Sequence, residues 1–247
     1  MRLLNTTTHE LGDFLERERP KYAILSHTWE SEEVLYQHIV SGTNAWRRLT
    51  GAAKIRKACE VALLKGYDWI WIDTCCIDKS SSSELSESIH SMFRWYEQSG
   101  ICIAYLADIS KQAFFKVRRK SRWFTRGWTL QELIAPREIE FFDSNWVYID
   151  NKKSLRKLLA QITGIPAAVL KHADPLKTNT VGSGIRSLLA PIPVANIMSW
   201  AAMRETTRPE DMTYCLLGLF DIDMPLLYGE GGVKAFIRAA AVYHDGV

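Results

Sequence analysis

Trp69-Ile-Trp-Ile-Asp73, then Ser81-Ser-Ser-Glu84, then Ile101-Cys-Ile-Ala-Tyr-Leu106: read in that order, residues 69–106 decide the fold. The outer runs are short, apolar and rich in β-branched and aromatic residues, the pattern of buried strands. Between them, Ser81-x-x-Glu84 reads as a capping box. It opens a helix that carries Leu85, Ile89, Met92, Phe93 and Tyr96 on one face and stops at Gly100. Strand, helix and strand at this spacing predict a parallel sheet covered on both faces.

The same alternation extends outward. Tyr22-Ala-Ile-Leu-Ser26 reads as a strand announced by Pro20 and leading into His27-Thr-Trp-Glu30. Ile55, Cys59, Ala62 and Leu63 recur at helical spacing before Gly66, a C-terminal stop. Trp128 to Ile134 reads as a helix, Glu138-Ile-Glu-Phe-Phe142 as a strand and Trp146-Val-Tyr-Ile149 as a further one. Past Asp150 the pattern is mainly helical, with short helices at Leu155–Ile162 and Pro166–Leu170, a loop from Asp174 to Gly184 and a helix at Ile192–Met203. Thr207-x-x-Glu210 reads as the cap of a last helix holding Met212, Cys215, Leu216 and Leu219. The expectation is an α/β domain over 1–150 and a helical extension over 151–247. Ligands of such sheets bind outside the carboxyl ends of the strands, where Ser26–Glu30, Asp73–Asp78 and the residues from Asp108 onward fall.

Composition narrows the class. The 247 residues are 47% hydrophobic and 24% charged, with a net charge of +3. That is ordinary globular usage, and too little charge for a general polyanion binder. No apolar run nears the roughly 18 residues of a membrane span, and Met1–Glu10 lacks a secretory signal pattern. Five cysteines without repeated spacing argue against a disulfide framework. The expectation is a soluble, cytoplasmic protein.

Tyr22-Ala-Ile-Leu-Ser-His-Thr-Trp29, Trp71-Ile-Asp-Thr-Cys-Cys-Ile-Asp78 and Arg126-Gly-Trp-Thr-Leu-Gln-Glu-Leu133 occur in this order. Together they resemble the signature blocks of the fungal HET (heterokaryon incompatibility) domain. Ser199-Trp-Ala-Ala, Thr206-Thr-Arg-Pro-Glu-Asp-Met-Thr-Tyr214 and Met224-Pro-Leu-Leu-Tyr-Gly-Glu-Gly231 are similar to its later blocks, so the likeness spans roughly residues 1 to 240. After Arg238 the chain departs from the family, which continues in a Leu-, Gln- and Glu-rich helix, and the expectation is a truncated or differently spliced product. The resemblance implies non-self recognition that ends in programmed cell death. It also implies kinship with TIR domains, hence a flavodoxin-like parallel sheet, self-association on activation, and a partner protein that signals non-self. In catalytic TIR domains the glutamate of the block resembling Trp128-Thr-Leu-Gln-Glu-Leu133 cleaves NAD. The resemblance therefore makes Glu132 the catalytic candidate, with NAD as substrate and no bound cofactor.

Each candidate also has a plain reading. Breaking the nicotinamide–ribose bond needs a carboxylate that steadies a developing sugar cation, and an ionised Glu132 meets that need; Thr129-x-x-Glu132 also reads as a capping box. Trp29 can stack on a base or serve as a lid on the core, and His27 can bind phosphate or ribose or simply bond within its loop. Ser26 offers a strand-end hydroxyl. Asp73 and Asp78 can hold ribose hydroxyls or satisfy their own turns, and Glu84 can join the site or only cap its helix. Residues 114–126 carry six basic residues, no acidic ones and four aromatics. Four readings stand for them: a nucleic-acid surface, a collector for a dinucleotide pyrophosphate through residues such as Arg126, a contact with an acidic face of a neighbouring subunit, and a solvated loop with buried rings. Trp128 is a further contact candidate that also reads as core. Cys75-Cys76 lacks a second pair at metal-ligand spacing, and no orienting third group makes a nucleophile of either thiol. No Gly-x-Gly-x-x-Gly or Walker-type loop follows any strand, which takes the main support from hydride-transfer and NTPase readings. A non-enzymatic module that signals by homotypic assembly is the alternative function.

Overall fold

A computed structural model describes residues 1–117, 121–171 and 184–245. Its seven strands are β1 (Arg2–Asn5), β2 (Leu11–Asp13), β3 (Ala23–His27), β4 (Trp69–Trp71), β5 (Ile101–Tyr105), β6 (Ile139–Phe142) and β7 (Tyr148–Asn151), in the sheet order β2-β1-β4-β3-β5-β6-β7. The four central strands are parallel, Ala23 pairing with Ile70 and Ile101, and Cys102 with Ile139. In sequence terms their order is 2-1-3-4, the flavodoxin-like doubly wound arrangement, which leaves a ligand crevice where the winding reverses on either side of the first strand. Every residue of β3 and of β5 is buried, because helices cover both faces.

The α/β expectation holds, but the sheet is mixed. The hairpin β1–β2 pairs antiparallel with itself and with β4 at one edge, and β7 pairs antiparallel with β6 at the other. Neither β1 nor β2 carries a readable pattern. Each is three or four residues long, and neither is flanked by a two-residue hairpin turn.

The helix Ala52–Leu64 ends where expected, at Gly66 with φ +83°. Ser81 Oγ accepts from the Glu84 N–H to start the helix Ser82–Gln98, which buries Ile89, Met92, Phe93 and Tyr96. Beyond β7 come the helices Lys152–Thr163, Ile185–Leu189, Val194–Ala201, Asp211–Tyr214, Leu217–Phe220 and Gly232–Asp245. Two expectations fail there. Pro166–Leu170 gives only a short 3-10 turn at Val169–Lys171. Thr207 does not cap: its hydroxyl accepts from Arg126, and Glu210 instead accepts the Gly229 and Gly231 N–H groups, each at 2.9 Å. The run holding Met212 to Leu219 accordingly breaks into two short helices. The loop expected over 174–184 lies outside the described residues except for Gly184, as do residues 118–120 of the basic segment.

The main core runs from the sheet into the helical part, and a smaller cluster of Tyr214, Leu217, Met224, Ala235 and Ala239 lies beside it. Trp200, Leu216 and Leu219 share a buried cluster with Ile24, Trp71 and Ile103 of the sheet.

Candidate functional site

The cleft at the carboxyl edge of the sheet has a volume of about 330 Å³. His27, Trp29, Asp73, Arg126, Trp128 and Glu132 all line it. Ser26 lies just beneath, fully buried. Asp78 and Glu84 lie outside it. Asp78 accepts from Gln37, from Ser80 and from its N–H, while Glu84 pairs with Arg2 at 2.7 Å and takes the Asp78 N–H at 2.7 Å.

The floor is built from β3 and the helix Thr129–Ile134. All six residues of that helix are buried, and Pro136 stops the chain from continuing it. Its start is fixed by Arg204, whose Nη1 donates to the Arg126 carbonyl at 2.8 Å and to Thr129 Oγ1 at 2.9 Å. Its end is held by buried Lys152, whose Nζ donates to the Ile134 and Pro136 carbonyls at 3.2 and 2.8 Å. Glu132 does not turn back on its own helix as a capping box requires. Its Oε2 accepts from Ser26 Oγ at 2.5 Å, and Ser26 Oγ in turn accepts from the Trp123 indole at 2.8 Å. An indole N–H only donates, so Trp123 takes up one of the two lone pairs of Ser26 Oγ and leaves the hydroxyl proton free for the carboxyl.

Burial raises the Glu132 pKa to about 8, with the charge of Asp73 adding to it, while the Ser26 hydroxyl and Arg126 pull the other way. At neutral pH the carboxyl is therefore mainly protonated, where the sequence suggested an ionised glutamate. Tyr96 fits that state. Its hydroxyl gives its own proton to the Leu25 carbonyl at 2.9 Å, so towards Glu132 it can only accept.

Asp73 opens the short helix Asp73–Cys76 just past β4. Its Oδ1 meets His27 Nε2 at 2.9 Å, its Oδ2 accepts from the Trp29 indole at 2.8 Å, and Lys79 Nζ stands 3.4 Å away. Burial pushes this carboxyl up, but Lys79, His27 and Trp29 outweigh it and hold the pKa well below the ordinary range. The cleft thus holds one protonated and one ionised carboxyl, a separation typical of acid–base sites. Because a carboxylate only accepts, His27 Nε2 carries the proton, and its buried Nδ1 has no hydrogen-bond partner among the described residues.

The opposite wall comes from the helical extension. Thr207, Arg208, Asp211 and Tyr228 line it. The Tyr228 hydroxyl donates to Asp211 at 2.9 Å, and Arg208 lies over the Tyr228 ring at 4.3 Å. Burial raises the Asp211 pKa, against the hydrogen bonds from Tyr228 and Trp128. None of these four was a sequence candidate, nor was Lys79. The only signal was that Thr207, Arg208, Asp211 and Tyr228 fall in the two late blocks.

Of the four aromatics in 114–126, Phe114, Trp123 and Phe124 are buried, which removes three rings from any base-stacking surface. Cys75 and Cys76 are buried free thiols, and the Cys75 pKa lies well above the ordinary value through its bond with Cys76 and burial. Among the described residues no group of three or more His, Cys, Asp or Glu could hold a metal ion, and no helix is long and apolar enough to cross a membrane.

Residues 22–120 match the family model of the heterokaryon incompatibility protein (HET). That match takes in β3 to β5 and ends before Glu132. The chain is 44% identical over 233 residues, 89% of its length, to the vegetative incompatibility protein HET-E-1 of Podospora anserina, of which it spans only 16%. No solved structure matches it.

Proposed function

Because residues 22–120 match the heterokaryon incompatibility family, we propose that this chain is a vegetative incompatibility effector that triggers cell death by hydrolysing NAD. The observation that carries the catalytic part is Glu132, a carboxyl on the floor of a cleft walled by Trp29, Trp128, Arg126 and Asp73. In this reading the bond between ribose C1′ and the nicotinamide nitrogen breaks, and its electron pair goes to the nitrogen. The ring leaves neutral, the sugar cation is steadied by the ionised form of Glu132, whose share grows as pH approaches about 8, and water adds to C1′ and releases a proton. Arg126 and Arg208 supply positive charge for the pyrophosphate. Ser26 holds the carboxylate in place, and self-association brings activity on.

The experiment is NAD consumption and nicotinamide release by wild type and Glu132→Gln, at low and high protein concentration. Turnover that rises with concentration and is lost in the variant is expected. Intact NAD with concentrated, assembled wild type overturns the enzymatic reading and leaves a homotypic signalling module, the second function that the resemblance carries.

A further inference from the structure

Trp29, Asp73 and Lys79 form a closed set at the mouth of the cleft. Lys79 Nζ sits 3.5 Å from the centre of the Trp29 ring and 3.4 Å from Asp73 Oδ2. The same oxygen accepts the Trp29 indole N–H, and the other oxygen is held by His27. One carboxylate therefore fixes both the aromatic plate and the cation on it. Trp29 is nonetheless 43% exposed, so the plate can be reached from solvent. A cation on an indole face beside a carboxylate is the arrangement by which proteins hold organic cations. Here the cation belongs to the chain itself, on the short connection between the helices Asp73–Cys76 and Ser82–Gln98.

We propose that the Trp29–Asp73 pair is a subsite for a flat organic cation of the pyridinium class, and that the Lys79 ammonium fills it until such a ligand displaces it. The inference rests on the reading of the cleft as an NAD site and makes it more specific, because it puts the charged nicotinamide end at Trp29, beside Glu132. The ring enters charged and leaves neutral. A seat that prefers the charged ring therefore captures substrate and sheds product. It does not speed bond breaking, since the charge moves from ring to sugar in that step. Lys79 can give up its place because its ion pair is partly open to water on both sides and its 3.4 Å contact is long for a charge-assisted hydrogen bond.

The test is binding without turnover. Ligand-observed NMR titrations with 1-methylnicotinamide, a planar cation, and with neutral nicotinamide compare wild type, Lys79→Met, Lys79→Arg and the double variant Lys79→Met with Asp73→Asn. Lys79→Met is expected to tighten the cation roughly three- to ten-fold and to leave the neutral ring within about two-fold. Lys79→Arg should not tighten it, and the added Asp73→Asn should cancel the gain. If that double variant does not fold, Trp29→Leu on the Lys79→Met background takes its place. Cation binding that is unchanged or weaker in Lys79→Met overturns the proposal, and so does equal tightening of both ligands. Charge-selective tightening in a protein that leaves NAD intact would retain the seat and retire the hydrolase reading. NAD cleavage with no Lys79→Met effect would do the reverse.

Discussion

Glu132 is a residue whose burial works against the fold and for the chemistry. Its pKa rises from an ordinary carboxyl value to about 8 on folding, so between those values the native state holds more protons than the unfolded one, and stability falls as pH rises. Glu132→Gln removes that slope. Thermal melts should show the variant close to wild type at pH 5 and more stable at pH 8, by roughly 1–3 kcal/mol; a pH-independent difference would contradict the assignment. Activity should move the opposite way. If the ionised form acts, kcat/KM of wild type rises with pH and levels off above about 8, a profile set by the free enzyme. Ser26→Ala takes away a hydrogen bond to the carboxylate and leaves the Trp123 N–H unpaired. It should shift the kcat/KM profile to higher pH and cost about 1–3 kcal/mol in denaturant melts. Little of this was legible residue by residue. From spacing, Glu132 was as readily a helix cap, and only resemblance singled it out. Asp78 was legible as turn chemistry, since it accepts from Ser80, whereas the Glu84 carboxylate goes to Arg2 and the Asp78 N–H and not to the cap of its own helix. Asp211, Tyr228 and Lys79 take their places through long-range packing, for which local pattern holds no signal.

The helix Thr129–Ile134 is six residues long, too short to stand without outside support, and it is fixed at both ends by buried cations from later in the chain. Lys152 shows the cost. Burial lowers its pKa to about 7, so between pH 7 and the ordinary lysine value the unfolded chain binds more protons than the native one. Stability from this group therefore rises with pH, the reverse of Glu132. Lys152→Met abolishes that contribution and leaves the Ile134 and Pro136 carbonyls without the Nζ donor. Urea unfolding of both proteins at pH 7.5 and pH 9 should show wild type gaining on the variant by about 1 kcal/mol per pH unit. A constant gap would mean that the amine stays charged. At this scale the sequence was most readable where one period dominated: the parallel strands and the helix Ser82–Gln98. It was least readable where a capping pattern lay in a loop, as at Thr207-x-x-Glu210, because the same side chains there serve distant backbone groups.

The cleft belongs to the whole molecule. The sheet and its helices give His27, Asp73 and Glu132, and the residues past 150 give Arg208, Asp211 and Tyr228, so the split at Asp150 read from the change of pattern does not separate two sites. Gly218 is a tight joint between the two parts. A methyl group on its Cα would lie 2.3 Å from Phe93 Cβ and 3.2 Å from the Gln131 side-chain oxygen. Phe93 is buried on the helix Ser82–Gln98, whose Met92 and Tyr96 face the cleft, and Gln131 precedes Glu132. Backbone-proximal atoms such as a Cβ cannot swing aside, so Gly218→Ala has to push the helix Leu217–Phe220 away from its neighbours. Overpacking of this kind costs about 1–3 kcal/mol. The strain passes directly to Gln131 and so to the floor of the cleft. Gly218→Ala is therefore expected to lower the melting temperature and to weaken 1-methylnicotinamide binding together. An unrelated surface glycine with open space around it, such as Gly42, gives no such guide, because its φ of +66° adds strain of its own. The informative control is Phe93→Leu on the Gly218→Ala background, which removes ring atoms but keeps the Cβ. If it restores both readouts, the ring rather than the Cβ is the obstacle and the joint can adapt. If it restores neither, the Cβ at position 93 is itself the obstacle, and the cleft keeps its shape only while Gly218 leaves it room.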